Sequence, residues 1–227
     1  PAPLAHHVRV RCRELRFDSP THPPWNCSAQ NPRQLLVCNS RDRVTTLRVD
    51  GQPVRRWVDP MEALDWLGNS DAMRDPKSPR WAGYISYDLG RLFEPMPSIA
   101  ADDLSLPLFM FVSTSRAPPG KLPAVSARQR PTLARPAVPR SDYEQAVQAV
   151  LDFVAAGDVY QVNLSQRLTA VTAEPGSHIY ARLQAQSPAS YGALIDCDAF
   201  QIISNSPELF FSVQPSGNCR RTILSRP

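Results

Sequence analysis

The sequence predicts an α+β protein of antiparallel β-sheets packed with helices, with strands in the majority. Three observations carry this. Short apolar runs recur between Leu35 and Val112 and are separated by turn residues, Asp50-Gly51 above all. One stretch, Ser141 to Gly157, carries apolar side chains at helical spacing and ends on glycine. No internal repeat is evident.

The segment from Leu4 to Leu67 reads as β-rich. Leu35 to Cys38 is a short apolar strand, and Val44–Val49 with Val54–Val58 forms a hairpin around Asp50-Gly51. Asp59 can cap a following helix and Pro60 suits its first position, with Met61, Leu64 and Leu67 as the apolar face. Trp81 to Leu89 is an aromatic-rich strand in which Gly83, and Gly90 just after it, point to close backbone approach or a tight exit. Leu106 to Val112 is a further strand, placed at a sheet edge by Pro107. Ser115 to Arg140 holds six prolines and reads as a linker or extended loop that trypsin should cut early. The expected divisions are therefore a β-rich region over 1–114, the linker over 115–140 and a third region over 141–227.

In that third region Ser141 and Glu144 form a capping-box pattern, and Tyr143, Val147, Val150, Leu151 and Val154 make an apolar stripe. Val159 to Leu168 alternates and predicts a strand. Gln161, Asn163, Ser165 and Arg167 share one face, and Tyr160, Val162, Leu164 and Leu168 the other. A short helix near Ile179–Gln186 follows. Tyr191–Ile195 and Phe200–Ser204 then form a hairpin around Asp196 to Asp198, and Leu209–Val213 is one more strand.

Composition is that of an ordinary globular protein, 42% hydrophobic and 20% charged, with no apolar run near the ~20 residues of a membrane helix. Pro1 to Arg13 lacks an apolar stretch, so no signal peptide is expected. The net charge of +4 is scattered arginine without interleaved aromatics, which argues against nucleic-acid binding. Five widely spaced cysteines with no CxxC argue against zinc and a disulfide framework, and for free thiols in a cytoplasmic protein. Phosphate-loop, dinucleotide, HExxH and GxSxG signatures are missing. His6, His7 and His22 fall in the irregular N-terminus, and His178 reads as a surface residue of a short helix.

The polar strand face has two readings. It is a solvent-facing side of a half-buried sheet, or it is the wall of a site whose amides and hydroxyls suit an anionic, hydroxylated small molecule. Ser206-Pro207-Glu208 and Ser187 to Gly192 read equally as turns.

Taken in order, these stretches resemble the chorismate-utilising enzymes: anthranilate synthase component I, aminodeoxychorismate synthase component I, isochorismate synthase and salicylate synthase. The resemblance rests on Gly83 to Arg91 with Glu94, Asp142-Tyr143, Ala156 to Arg167 (AGDVYQVNLSQR), Ser187 to Ala193 (SPASYGA) and Ser206 to Phe210 (SPELF). The wording YQVNLSQR and SPASYGA is similar to the aminodeoxychorismate branch, where the product feeds p-aminobenzoate and folate synthesis. Branches that add water to chorismate carry a lysine base where this chain has Gln161, and an amide cannot take a proton from water.

The resemblance implies Mg²⁺ as cofactor, chorismate as substrate and a glutaminase subunit as partner. It also implies a regulatory tryptophan pocket walled by Pro188, Ala189, Ser190 and Tyr191, with Ser40 a weak match for the opposite wall. It makes Gln161 the candidate catalytic position, with Asn163 and Ser165 as substrate-pocket residues. Family members are about twice this long. Their metal-binding glutamates and a nucleophilic lysine in a PIKGT motif follow the SPE strand, whereas the lysines of this chain are Lys77 and Lys121 alone. The expectation is an incomplete, inactive fragment of an aminodeoxychorismate synthase component I. Anthranilate synthase component I, or a non-catalytic tryptophan-binding or glutaminase-docking fragment, are the alternatives.

Overall fold

The computed structural model describes residues 10–21, 23–69, 80–95, 101–114, 120–125, 133–210, 212–213 and 219–220. The chain divides into two compact units, Pro1–Val125 with Gly176–Pro227, and Ser126–Pro175. The boundaries expected near 114 and 141 are thus drawn elsewhere, because residues after 176 return to pair with the first strand.

In the larger unit a five-stranded antiparallel sheet runs in the order β5-β4-β3-β7-β6, from β3 (Gln34–Cys38), β4 (Thr45–Val49), β5 (Gln52–Trp57), β6 (Arg80–Ile85) and β7 (Phe109–Thr114). The β4–β5 turn has Asp50 at φ 49° and Gly51 at φ 80°, the paired positive dihedrals that match strand twist in a two-residue hairpin. Gly83 sits opposite Phe111, where an added Cβ would collide with the Met110 carbonyl, so close strand approach requires glycine. After Ile85 the chain leaves the sheet as a 3₁₀ turn, Tyr87–Leu92, which shortens the strand expected to reach Leu89. β7 lies between β3 and β6 and is not an edge. Pro107 precedes the paired stretch, so its missing N–H removes no ladder bond.

Helix α1 (Pro60–Asn69) begins as expected, with Asp59 Oδ1 accepting from the Met61 N–H at 2.8 Å. Its buried residues are Pro60, Ala63 and Leu67. Ala63 and Leu67 pack with Leu36, Cys38, Leu47, Trp57 and Phe109 on one face of the five-stranded sheet. The opposite face presents Leu35, Met110 and Val112 to a second sheet, ordered β11-β10-β1-β2. That sheet contains β1 (Cys12–Asp18), β2 (Cys27–Gln30), β10 (Tyr191–Cys197) and β11 (Gln201–Ser206), all antiparallel. The inter-sheet core includes Leu15, Phe17, Ala29, Ala193 and Ile195. Period-two alternation divides β1: Leu15 and Phe17 enter this core, while Arg16 and Asp18 face the other way. Helix α3 (Gly176–Gln186) packs on β10 and β11 and buries Tyr180 and Ala181. His178 in its first turn is half-buried.

The smaller unit holds helix α2 (Arg140–Ala156) and the two-residue strands β8 (Arg135–Pro136) and β9 (Leu168–Thr169), which pair. Gly157 at φ 82° ends α2 as expected. Its N–H reaches the Val154 carbonyl at 3.2 Å and the Asp158 N–H the Phe153 carbonyl at 3.1 Å, a Schellman motif. The expected capping box does not form. Ser141 Oγ donates to Asp142, Glu144 pairs with Arg140 at 2.6 Å, and the first turn closes through the Pro139 carbonyl accepting from Tyr143 N–H. No described residue of 133–175 is buried.

The strand expected over Val159–Leu168 is not formed either. Residues 161–167 have no regular structure, and only Leu168–Thr169 pairs with a neighbour. Tyr160, Val162, Leu164 and Leu168, the expected inner face, are all exposed. A strand exists through its ladder partner, and alternation in sequence does not supply one. Of the described residues of the strand expected at Leu209–Val213, Ser212–Val213 (β12) is formed and pairs with Cys219–Arg220 (β13), whereas Leu209 and Phe210 are irregular. Much of the proline-rich 115–140 stretch lies outside the described residues, as do His6, His7 and His22.

Candidate functional site

The candidate residues fall into two groups, one in each unit. Gln161, Asn163 and Ser165 are in the smaller unit, all exposed on the irregular segment after α2. Arg167 holds this segment's end in place, its carbonyl accepting from Ala137 N–H at 2.8 Å.

Pro188, Ser190 and Tyr191 are in the larger unit, at the corner between α3 and β10. The corner is fixed by its neighbours. Ser187 N–H closes the last turn of α3 on Leu183 at 2.8 Å, and Asn205 Nδ2 on β11 donates to the Ser187 carbonyl at 2.8 Å. Pro188 is exposed, Ala189 buried, Ser190 half-buried and Tyr191 buried. The Tyr191 ring meets Trp25 edge-on, with centroids 5.4 Å apart, and Trp25 in turn leans on Phe17 at 5.1 Å.

Behind this corner stands a polar cluster. Arg16 donates to both oxygens of Asp18, at 2.7 and 3.0 Å, and the Tyr180 hydroxyl donates to Asp18 Oδ2 at 2.8 Å. The Arg16 guanidinium carbon lies 6.0 Å from the centroid of the Tyr180 ring. Burial, then the hydrogen bond to ionised Asp18, pushes the Tyr180 hydroxyl well above the ordinary tyrosine range. Gly192, opposite Asp18 in the ladder, has no room for a side chain, since a Cβ would strike Tyr180 and Gln184.

Trp25 and this cluster escape a reading of motifs. One signal was available: Arg16 and Asp18, opposite charges at i and i+2, share one face of a strand whose other face carries Leu15 and Phe17. Their partner Tyr180 is 162 positions away from Asp18, and nothing in the sequence couples them.

The family model for chorismate binding enzymes matches residues 113–227, which include every candidate from Gln161 to Tyr191. The chain belongs to this family. Among curated relatives, it is 30% identical over 189 residues to anthranilate synthase component 1 of Thermus thermophilus, covering 66% of this chain and 41% of that one. It is 27% identical over 221 residues to aminodeoxychorismate synthase component 1 of Bacillus subtilis, covering 78% and 47%. Against the Klebsiella aerogenes aminodeoxychorismate synthase component 1 it is 26% identical, covering 94% and 54%. In fold it matches anthranilate synthase component I from Streptococcus pneumoniae with a TM-score of 0.59 at 21% identity, over 93% of this chain and 54% of that structure. The chain spans about half the length of the curated relatives it matches.

Among the described residues no three His, Cys, Asp or Glu side chains converge as a metal site, so these residues do not fit the Mg²⁺ that the resemblance implies. No helix among them is long and apolar enough to cross a membrane.

Proposed function

We propose that this chain belongs to an aminodeoxychorismate synthase component I, which forms 4-amino-4-deoxychorismate from chorismate and ammonia. The observation that carries the reading is the wording YQVNLSQR and SPASYGA over residues 160–167 and 187–193, which resembles the aminodeoxychorismate branch; Gln161 within it sets the chain apart from the branches that use water. Family branches that activate water resemble this segment but place lysine there, and a buried lysine of lowered pKa can act as a base. A carboxamide has no such proton affinity, so ammonia, already a nucleophile, is favoured over water. The reading is supported by the two aminodeoxychorismate synthases, which match 78% and 94% of this chain.

Anthranilate synthase component I is the second reading. It is favoured by the Thermus relative, at 30% identity.

In this proposal Pro188, Ser190 and Tyr191 belong to a regulatory pocket for an aromatic amino acid such as tryptophan. The edge-on Tyr191–Trp25 pair offers the aromatic surface, and Ser190 a hydroxyl. A glutaminase subunit delivers the ammonia. Magnesium is the cofactor in this proposal.

The reading is tested on the protein isolated from its own source with an antibody against this chain. It is given chorismate, Mg²⁺ and ammonium. Aminodeoxychorismate, scored as p-aminobenzoate after lyase treatment, is the expected product. Anthranilate in its place would overturn the reading. The 227-residue chain alone is expected to show no turnover, since neither Lys77 nor Lys121 stands where the family's nucleophile does.

A further inference from the structure

Cys12 and Cys197 stand directly opposite each other where β1 pairs with β10. The Asp198 N–H donates to the Arg11 carbonyl at 3.1 Å. That bond joins the residue before Cys12 to the residue after Cys197, so the two cysteines form a non-hydrogen-bonded pair, just ahead of the β-bulge between Cys12 and Glu14. In such pairs the Cα atoms lie about 4.5 Å apart and the side chains are at their closest. This falls inside the range of roughly 4.4–6.8 Å that a disulfide spans. Both side chains point into the inter-sheet core, where they are 4% and 2% exposed. Both are free thiols: Cys12 Sγ donates to the Glu14 carbonyl at 3.4 Å and Cys197 Sγ to Met110 Sδ at 3.7 Å.

The two thiols differ in their access. Cys12 lines a cavity of about 590 Å³, together with Arg11, Arg33, Arg48, Asp50 and Asp198, whereas Cys197 does not. The two carboxylates are already engaged, Asp50 with Arg33 at 2.9 Å and Asp198 with Arg13 at 2.9 Å. Three arginines, Arg11, Arg33 and Arg48, line the cavity against two carboxylates, a net positive lining that suits an anionic visitor. The hydrogen bond with Cys12, then burial, holds the Cys197 thiol protonated well above the ordinary cysteine range. Cys12 is the thiol that the cavity reaches, so attack starts there.

We propose that Cys12 and Cys197 are a redox latch, closed by a small anionic disulfide that enters through the arginine-lined cavity. The Cys12 thiolate attacks one sulfur of the incoming disulfide, forming a mixed disulfide and expelling one thiolate. Cys197, on losing its proton, attacks the Cys12 sulfur and expels the second. Two protein thiols become one disulfide, and the oxidant is reduced to two thiols. The bond would join the first strand to β10, the strand that begins at Tyr191, across 185 positions of chain (197 minus 12). This inference does not depend on which reaction the family member catalyses.

Oxidised glutathione is the probe. The native chain is incubated with it, quenched in acid, alkylated in urea and mapped by mass spectrometry. A Cys12–Cys197 linked peptide should dominate, with Cys27 and Cys38 still alkylated. The oxidised chain should melt at a higher temperature, and dithiothreitol should reverse the shift. Cys197→Ser should stop at one glutathione on Cys12, and Cys12→Ser should leave Cys197 free. Two results would overturn the latch. One is both thiols remaining free in the native chain under conditions that oxidise the urea-unfolded chain. The other is linkage of Cys27 or Cys38 as readily as of this pair.

Discussion

Tyr160 and Tyr180 lie twenty positions apart and meet opposite fates. Tyr180 is 0% exposed, clasped by Asp18 and Arg16 within a four-layer arrangement of helix, sheet, sheet and helix. Tyr160 is 92% exposed, in a unit where no described residue is buried. The two units teach different halves of folding. The larger one has two apolar clusters, on either face of the five-stranded sheet. The smaller one has good local chemistry: a 17-residue helix, an i,i+4 ion pair and a Schellman stop. Yet Leu151, Phe153 and Val154 remain in solvent. Local signals determine where a helix begins and ends. They do not give it a core, and most helical stability in proteins comes from packing.

The sharpest way to break this comparison is to truncate one large side chain in each unit. Phe109→Ala, at a fully buried site, should cost about 3–5 kcal/mol. Leu151→Ala should change stability by no more than about 0.5 kcal/mol, because a half-exposed side chain loses little and alanine favours the helix. All four tryptophans, Trp25, Trp57, Trp66 and Trp81, are in the larger unit. Urea unfolding followed by their fluorescence therefore reads the first cost directly, while amide exchange in α2 reads the second. Equal costs would mean that the smaller unit has a core after all.

A smaller effect tests the polar cluster. Tyr180→Phe removes a hydrogen bond to an ionised carboxylate and should cost about 1.5–3 kcal/mol. The Tyr180 hydroxyl titrates higher folded than unfolded. Its contribution is thus fully present below the unfolded value of about 10, and is lost as pH rises above that value. The urea midpoint of the wild type should fall above about pH 10, and the Tyr180→Phe chain should fall less steeply. Parallel pH profiles would remove the Asp18–Tyr180 bond from the account.

The smallest effect is confined to the smaller unit. Gly157→Ala forces a side chain to a φ of 82° and should weaken the end of α2 by about 1 kcal/mol. Faster exchange in the last turn of α2, with an unchanged fluorescence transition, is the expected result. A shift of the fluorescence transition would show that the two units unfold together.

The sequence by itself determined what depends on a few adjacent residues. Asp50-Gly51 demands positive φ at both positions and so makes the β4–β5 hairpin. Asp59-Pro60 starts α1, Gly157 ends α2, and Gly83 allows β6 to approach the Met110 carbonyl. The ordered motifs from Gly83 to Phe210 also pointed to the family that the chain belongs to.

Only the tertiary structure decided which strands meet. It inserted β10 between β1 and β11, put Tyr180 on Asp18 and set Cys12 against Cys197. It withheld a ladder from Gln161 to Arg167, whose alternation reads as a strand but finds a partner only at Leu168. The reason is physical. Dihedral preferences act over a turn or two of chain, whereas strand pairing is chosen by the apolar area that the whole unit buries, and that sum is not written in any one segment.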